Sequence, residues 1–145
     1  MTVAGILGHK AANRIFSCSP ESTLEHVSGE LAQYRIGAIL IIDDEGALKG
    51  ILSERDIVRA IAANGAGVLS SPASDYMTAR VVTCTGEETA TMLMGLMTEN
   101  RIRHVPVLKN DKVIGVVSIG DVVKARIEAT EREAAEMMQY ISSAG

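Results

Sequence analysis

Hydrophobic positions along this chain fall into two matching sets. Ala38-Ile39-Leu40-Ile41-Ile42 is an unbroken apolar run, and Val105-Pro106-Val107-Leu108 echoes it. Apolar runs of this length, bounded by turn residues, predict buried strands. Ahead of each run, apolar residues stand three and four apart: Leu24, Val27 and Leu31 in the first set, Leu93, Leu96 and Met97 in the second. That spacing predicts a helix with one buried face. Further strands are expected at Arg14 to Cys18 and Leu48 to Leu52, then at Val81 to Cys84 and Val113 to Val117. The turns DDEG and KNDK separate the last two strands of each set. A closing helix follows in each, the first ending at Asn64-Gly65, where glycine suits a C-cap.

Local signals place the first helix of each set. Ser19-Pro20-Glu21 puts a cap residue before a proline at the first helical position. Thr85-Gly86-Glu87-Glu88 reads as a capping box. Pro106 cannot donate to a sheet ladder, so its strand is expected at an edge or at a bulge.

The two sets are an internal repeat. GILSERDI, residues 50 to 57, returns as GVVSIGDV, residues 115 to 122. Ser53 and Ser118 stand 65 residues apart, as do Asp56 and Asp121. Upstream the offset is 66: Arg35-Ile36 matches Arg101-Ile102, and Cys18 matches Cys84. The extra residue of the first copy falls in the turn Asp43-Asp44-Glu45-Gly46, where a duplicated unit tolerates it. Each copy reads strand, helix, strand, strand, helix, an α/β (α+β) arrangement. Two copies are too few for an open solenoid, so face-to-face packing about a pseudo-two-fold axis is expected. The domain plan is 1–65 for the first unit and 66–78 for a linker with a helix leading onward. Residues 79–127 form the second unit, and 128–145 a helical extension. From Val122 to Ser142 there is neither Gly nor Pro, and Val123, Ile127, Ala134, Met137, Met138 and Ile141 form a stripe. A helix of that length needs a partner, its own module or another subunit.

Composition narrows the classes. The chain has 145 residues and a formal net charge of −4, which argues against a general nucleic-acid binder. Aromatics make up 3%, too few for base-stacking platforms. No apolar run approaches a membrane span, and MTVAGILGHK lacks the build of a signal peptide. A cytoplasmic location is the expectation. Cys18 and Cys84 form neither a CxxC pair nor a disulfide framework; two small, half-buried strand residues are favoured over a redox pair. His104 has no Cys or carboxylate at ligand spacing, so no metal site is expected. His9 and His26 read as surface or boundary residues. Met92, Met94 and Met97 suit core or interface filling better than a flexible partner groove.

The repeated phrase has a plain reading. A serine after a strand caps the next helix, and an aspartate three residues on favours the positive helix end. Its recurrence in one context supports a second reading. A Gly-led strand-to-helix turn offers backbone N–H groups to an anion, and an acidic side chain one turn in can hold a vicinal diol, as in dinucleotide folds. Hydroxyl, amides and carboxylate together fit a ribose phosphate.

On GILSERDI, GVVSIGDV and the run Asn100 to Val107, each copy resembles a cystathionine-β-synthase (CBS) domain, and the pair resembles a Bateman module, from about Val3 to Ile127. The whole chain is similar to small stand-alone bacterial CBS-pair proteins. The resemblance implies a site for adenosine ligands (AMP, ADP, ATP, S-adenosylmethionine or NAD) in clefts between the units. It implies that Asp56 and Asp121 hold ribose hydroxyls and that Ser53 and Ser118 touch ribose or phosphate. Ser17 and Thr83 would line the adenine pocket, and Arg103 and His104 would lie near the phosphates. The copies differ: Gly37-Ala38 stand opposite Arg103-His104, and Gly120 stands opposite Arg55. The two pockets should therefore differ in charge.

The expected function is a regulatory, ligand-sensing module without a required cofactor. Its signal would pass as a conformational or assembly change, to a homodimer partner or a separate effector protein. The alternative is a dimeric scaffold that ignores nucleotides. Catalysis has the least support: no nucleophile–base set, metal set or P-loop is present, and no catalytic residue is assigned.

Overall fold

The computed structural model describes residues 1–9 and 15–144. Its elements run α1 (Val3–His9), β1 (Ser17–Cys18), α2 (Leu24–Tyr34), β2 (Ala38–Ile42), β3 (Leu48–Ser53) and α3 (Glu54–Asn64). Two 3-10 turns follow, Ala66–Ser70 and Ala73–Asp75. The second copy gives β4 (Cys84–Thr85), α4 (Ala90–Asn100), β5 (His104–Lys109), β6 (Lys112–Ser118) and α5 (Ile119–Ala144). Each copy thus has the expected strand-helix-strand-strand-helix order. Contacts divide the chain into two compact units, one around each copy; the copies part between Val81 and Val82, while the N-terminal segment counts with the second copy and Asn110–Val113 with the first. Arg14, expected to open the first strand, lies outside the described residues.

The first unit holds a three-stranded sheet in the order β1-β2-β3. β1 runs parallel to β2, with Ser17 level with Leu40, and β3 runs antiparallel, with Ser53 level with Ala38. A register shift falls between Ile41 and Ile42, and the extra residue of this copy lies beyond it, in the turn that the Asp43 N–H closes by donating to the Ala47 carbonyl at 3.0 Å. In the turn, the Asp43 carboxylate accepts from the N–H groups of Glu45 and Ala47 at 3.0 and 2.8 Å. These bonds hold Asp43 below the usual carboxylate range, with the Ala47 amide the largest cause and Lys49 helping. The second copy makes the same reversal with two residues, Asn110 and Asp111, both at positive φ. That is the geometry of a tight type I′ hairpin, which Asn and Asp tolerate.

Both first helices start later than the local signals suggest. Thr23 caps α2 by accepting from the His26 N–H, and Thr89 caps α4 by accepting from the Met92 N–H. Ser19 is instead tied to Ser22 in a turn, and Glu88 accepts weakly from the Thr85 N–H at 3.4 Å. Each expected cap therefore belongs to a turn preceding the helix. The matched Arg-Ile pairs end these helices. Arg35 and Arg101 are both left-handed, with φ 54°, and Ile36 and Ile102 donate back to Leu31 and Met97 at 3.1 and 3.0 Å.

Pro106 does not lie at an edge. The order β4-β5-β6 makes β5 the central strand, and Pro106 is fully buried in it. The cost is visible beside it. In the first copy the Leu40 N–H donates to the Phe16 carbonyl at 3.2 Å. Pro106 occupies the equivalent place and has no N–H to give. Accordingly β1 starts at Ser17, whereas β4 starts one position later, at Cys84 rather than Thr83.

Domain limits also differ from the sequence plan. The N-terminus was expected to belong to the first unit, but Val3, Ile6 and Leu7 are buried in the core of the second, beside Leu93, Val105 and Val117. Residues 66–78, expected as a linker with a helix, form two helical turns, and Val68 and Ala73 are buried in the core of the first, beside Leu24, Ile41 and Leu52. The two segments dock alike. Leu24 N–H donates to the Ser71 carbonyl and Ala73 N–H to the Ser22 carbonyl; Ala90 N–H donates to Met1 and Val3 N–H to Glu88. Each copy is thus completed by the segment that precedes the other copy in the chain.

The glycines that open the repeated phrases make this docking possible. A Cβ on Gly50 would stand 2.7 Å from the Met77 sulfur and 2.8 Å from the Thr78 carbonyl oxygen. Thr78 pairs there with Ile51 through two backbone hydrogen bonds, 2.9 and 3.0 Å. A Cβ on Gly115 would stand 2.9 Å from a Leu7 methyl.

Candidate functional site

Each closing helix begins on the repeated phrase, and the two starts match bond for bond. The Ser53 N–H donates to Asp56 Oδ2 at 2.9 Å, and the Asp56 N–H donates to Ser53 Oγ at 3.1 Å. The Ser118 N–H donates to Asp121 Oδ2 at 2.9 Å, and the Asp121 N–H donates to Ser118 Oγ at 3.1 Å. Both are reciprocal capping boxes. The next amide is committed as well: the Glu54 N–H donates to the Gly37 carbonyl and the Ile119 N–H to the Arg103 carbonyl, at 2.9 and 2.8 Å. Three amides of each turn are therefore spent on the fold, not offered as a ring to an anion. An oxyanion here would be met by the amide of Arg55 or Gly120, by the positive helix end and by side chains.

The four serine and aspartate side chains are half-buried, so each is fixed by its cap yet reaches the surface. In the first unit, Ser17, Ser53 and Asp56 share one end of the sheet: Ser17 opens β1, and Ser53 closes β3 into α3. The register sets Ser17 and Ser53 two strands apart, about 9.5 Å, and offset by two residues, about 6.6 Å. That span suits a ligand with two ends better than a lone inorganic anion. Ser17 and Arg55 are exposed.

The second unit distributes its expected residues. Asp121 lines a hollow of about 320 Å³ with Met1, Ile6, His9, Lys124 and Glu128. Arg103 lines another, of about 350 Å³, with Arg101 and Ile119. Thr83 lies on a third, wide hollow beside Met92 and Met94. His104 opens β5 and is exposed. The second unit does not by itself gather Thr83, Arg103 and Asp121 into one pocket. Lys124 is a residue that the motif did not reveal. It stands three residues beyond Asp121 on α5, a spacing that puts both on one helix face. His9, read as a surface residue, is exposed on α1 and borders the same hollow; only the docking of α1 brings it there.

The other singled-out residues take structural places. Cys18 and Cys84 are buried free thiols. Burial, with Glu88 adding to it, pushes Cys84 up to about 11; burial and Glu30 raise Cys18. Neither is primed as a thiolate nucleophile. Met97 is core, Met94 packs beside it and Met92 is exposed. Among the described residues, no helix is long and apolar enough to cross a membrane.

These two capped, duplicated units define a class. The CBS domain family model matches residues 11–63 and 73–128, and the chain belongs to that family. The structure resembles the crystal structure of a CBS-domain containing protein from Agrobacterium tumefaciens, with TM-score 0.77 and 40% identity, over 87% of this chain and 99% of that one. The mitochondrial CBS domain-containing protein CBSX3 of Arabidopsis thaliana is 37% identical over 86% of this chain. The match spans 62% of that relative's own length. A CBS domain protein of Pyrobaculum aerophilum, solved in complex with AMP, is 27% identical with TM-score 0.71, over 83% of this chain and 89% of that one.

Proposed function

We propose that this chain is a regulatory module that binds an adenosine-containing ligand and does no chemistry on it. The observation that carries the reading is the twice-built Ser/Asp turn. Two rigid carboxylates at equivalent strand-to-helix junctions suit the recognition of ribose hydroxyls. Asp56 and Asp121 take that role, Ser53 and Ser118 contact ribose or phosphate, and Ser17 and Thr83 lie toward the base. Arg55 in one copy and Arg103 with His104 in the other supply unequal positive charge for phosphates. The AMP complex of the Pyrobaculum protein supports the ligand class. AMP or ATP is the first choice, with ADP, NAD and S-adenosylmethionine as further members of the class. Occupancy shifts a conformational or assembly equilibrium that another protein reads, to the extent that the ligand prefers one state.

One observation favours a second reading, a scaffold without a ligand. Both Ser/Asp pairs are satisfied as caps by the protein alone. For the same reason, Asp→Ala is a poor test, because it breaks the cap together with any ligand contact. Asp56→Asn and Asp121→Asn keep an oxygen to accept from the serine N–H and remove the charge. Calorimetric titration with AMP, ATP, NAD and S-adenosylmethionine, with GMP as control, separates the readings. Saturable binding of an adenosine ligand is expected. A charged hydrogen bond contributes about 1.5–3 kcal/mol, so the Asn variants should bind roughly 10- to 100-fold more weakly while melting within a few degrees of the parent. Silence from folded, nucleotide-free protein would establish the scaffold instead.

A further inference from the structure

The second half of α5 has no fold of its own to rest on. Val122 and Ala125 face the core, but every residue from Thr130 to Ser143 is exposed. That is a projection of about 21 Å. An isolated helix of this length is marginal in water. Its apolar side chains are not scattered. Val123, Ile127, Ala134, Met137 and Ile141, with the polar Thr130 completing the spacing, alternate steps of four and three along α5, the pattern of a coiled-coil a/d seam, and Met138 and Tyr140 flank them at e and g. Val123 and Ile127 are 42% and 52% exposed and Met137 and Ile141 61% and 59%, so the seam continues from the docked half onto the projecting half. It is a different face from the one that meets the core.

The geometry points to a second copy of this chain as the occupant, paired with α5 in parallel. The charges beside the seam choose it. With Ile127 at position a, Arg126 and Glu133 fall at g, and Glu131 and Met138 at e. A parallel pair sets each g residue against the partner's e residue five positions on. Arg126 then meets Glu131 of the partner subunit twice by symmetry, and Glu133 meets the partner's Met138. No like charges meet. An antiparallel pair centred on Ala134 would set the two Glu133 carboxylates together. Arg126 is already held on that flank by donating to Thr91 Oγ1 at 2.9 Å; Lys124, also at e, would face the uncharged Ile119 of the partner subunit, and Glu128, Arg132 and Glu136 fall at b, f and c, away from the seam. Thr130 and Ala134 are small enough to let the helices approach closely where Met137 and Ile141 would then interlock. The pairing does not depend on the nucleotide reading.

Sedimentation of the full chain across micromolar concentrations tests it. A dimer is expected. Met137→Glu with Ile141→Glu alters only exposed positions, so the CBS units should fold as before, and dissociation should rise at least tenfold. Glu131→Arg should weaken the dimer roughly two- to tenfold, as expected for exposed charge pairs, and Arg126→Glu added to it should restore the affinity. In Ile141→Cys, mild oxidation should cross-link two chains through position 141, because a parallel seam puts the two sites together. A monomer at all concentrations overturns the proposal. So does a dimer indifferent to the double Glu variant, which would place the contact on the CBS units. Failure of the position-141 cross-link in a chain that still dimerises through α5 overturns the parallel pairing.

Discussion

At the residue scale, the repeated phrase does two jobs that the sequence alone cannot separate. Its serine and aspartate cap a helix, and its glycine makes room for a foreign segment. The cap was legible because Ser-x-x-Asp is a local code. The glycine's role was not, since Met77 and Leu7 lie far from Gly50 and Gly115 in sequence. The two contacts are unequal. A Cβ at Gly50 meets a backbone carbonyl as well as a sulfur, whereas at Gly115 it meets the end of a flexible leucine. Gly50→Ala should therefore destabilise by about 1–3 kcal/mol, the usual range for overpacking, and Gly115→Ala by clearly less. Urea unfolding of the two variants checks the order; equal losses would contradict it.

At the element scale, the hydrophobic pattern placed the long helices and central strands well. It failed at the starts of α2 and α4, where Ser19 and Thr85 looked like caps. Thr23 and Thr89 win because the preceding residues are held in turns by the docked segments, which no local code shows. Pro106 is the sharper lesson. Its missing N–H argued for an edge or a bulge; β5 is central rather than at an edge, where its burial outweighed one lost ladder bond. A lost bond of this kind is worth only about 0.5–1.5 kcal/mol, less than the burial of Val105 and Val107 beside it. Pro106→Leu should supply the N–H that Leu40 has in the first copy. In hydrogen exchange, that new amide should be strongly protected, and overall stability should change by no more than about 1 kcal/mol, since the added bond is offset by a freer unfolded chain. A fast-exchanging amide there would mean that the strand stays unpaired at this point.

At the scale of the whole molecule, each copy is unfinished without a segment that precedes the other. This makes α1 part of the second unit's core rather than a leader of the first. Leu7→Ala should cost about 2–5 kcal/mol. Hydrogen exchange should localise the loosening to β6 and α5, while α2, β2 and β3 remain protected. Loosening of the first unit instead would contradict the exchange of segments. The same arrangement bears on the site: α1 supplies Met1, Ile6 and His9 to the hollow at Asp121.

The sequence by itself determined the duplication, the order of elements in each copy and the family, because these rest on periodicity and on short codes in which every partner is within a few residues. It also displayed the candidate ligand residues as a motif. Tertiary structure decided which segment completes which core, that Pro106 is central, and that Lys124 and His9 share a hollow with Asp121. These depend on contacts between residues distant in the chain, where burial of a few aliphatic side chains outweighs any local preference.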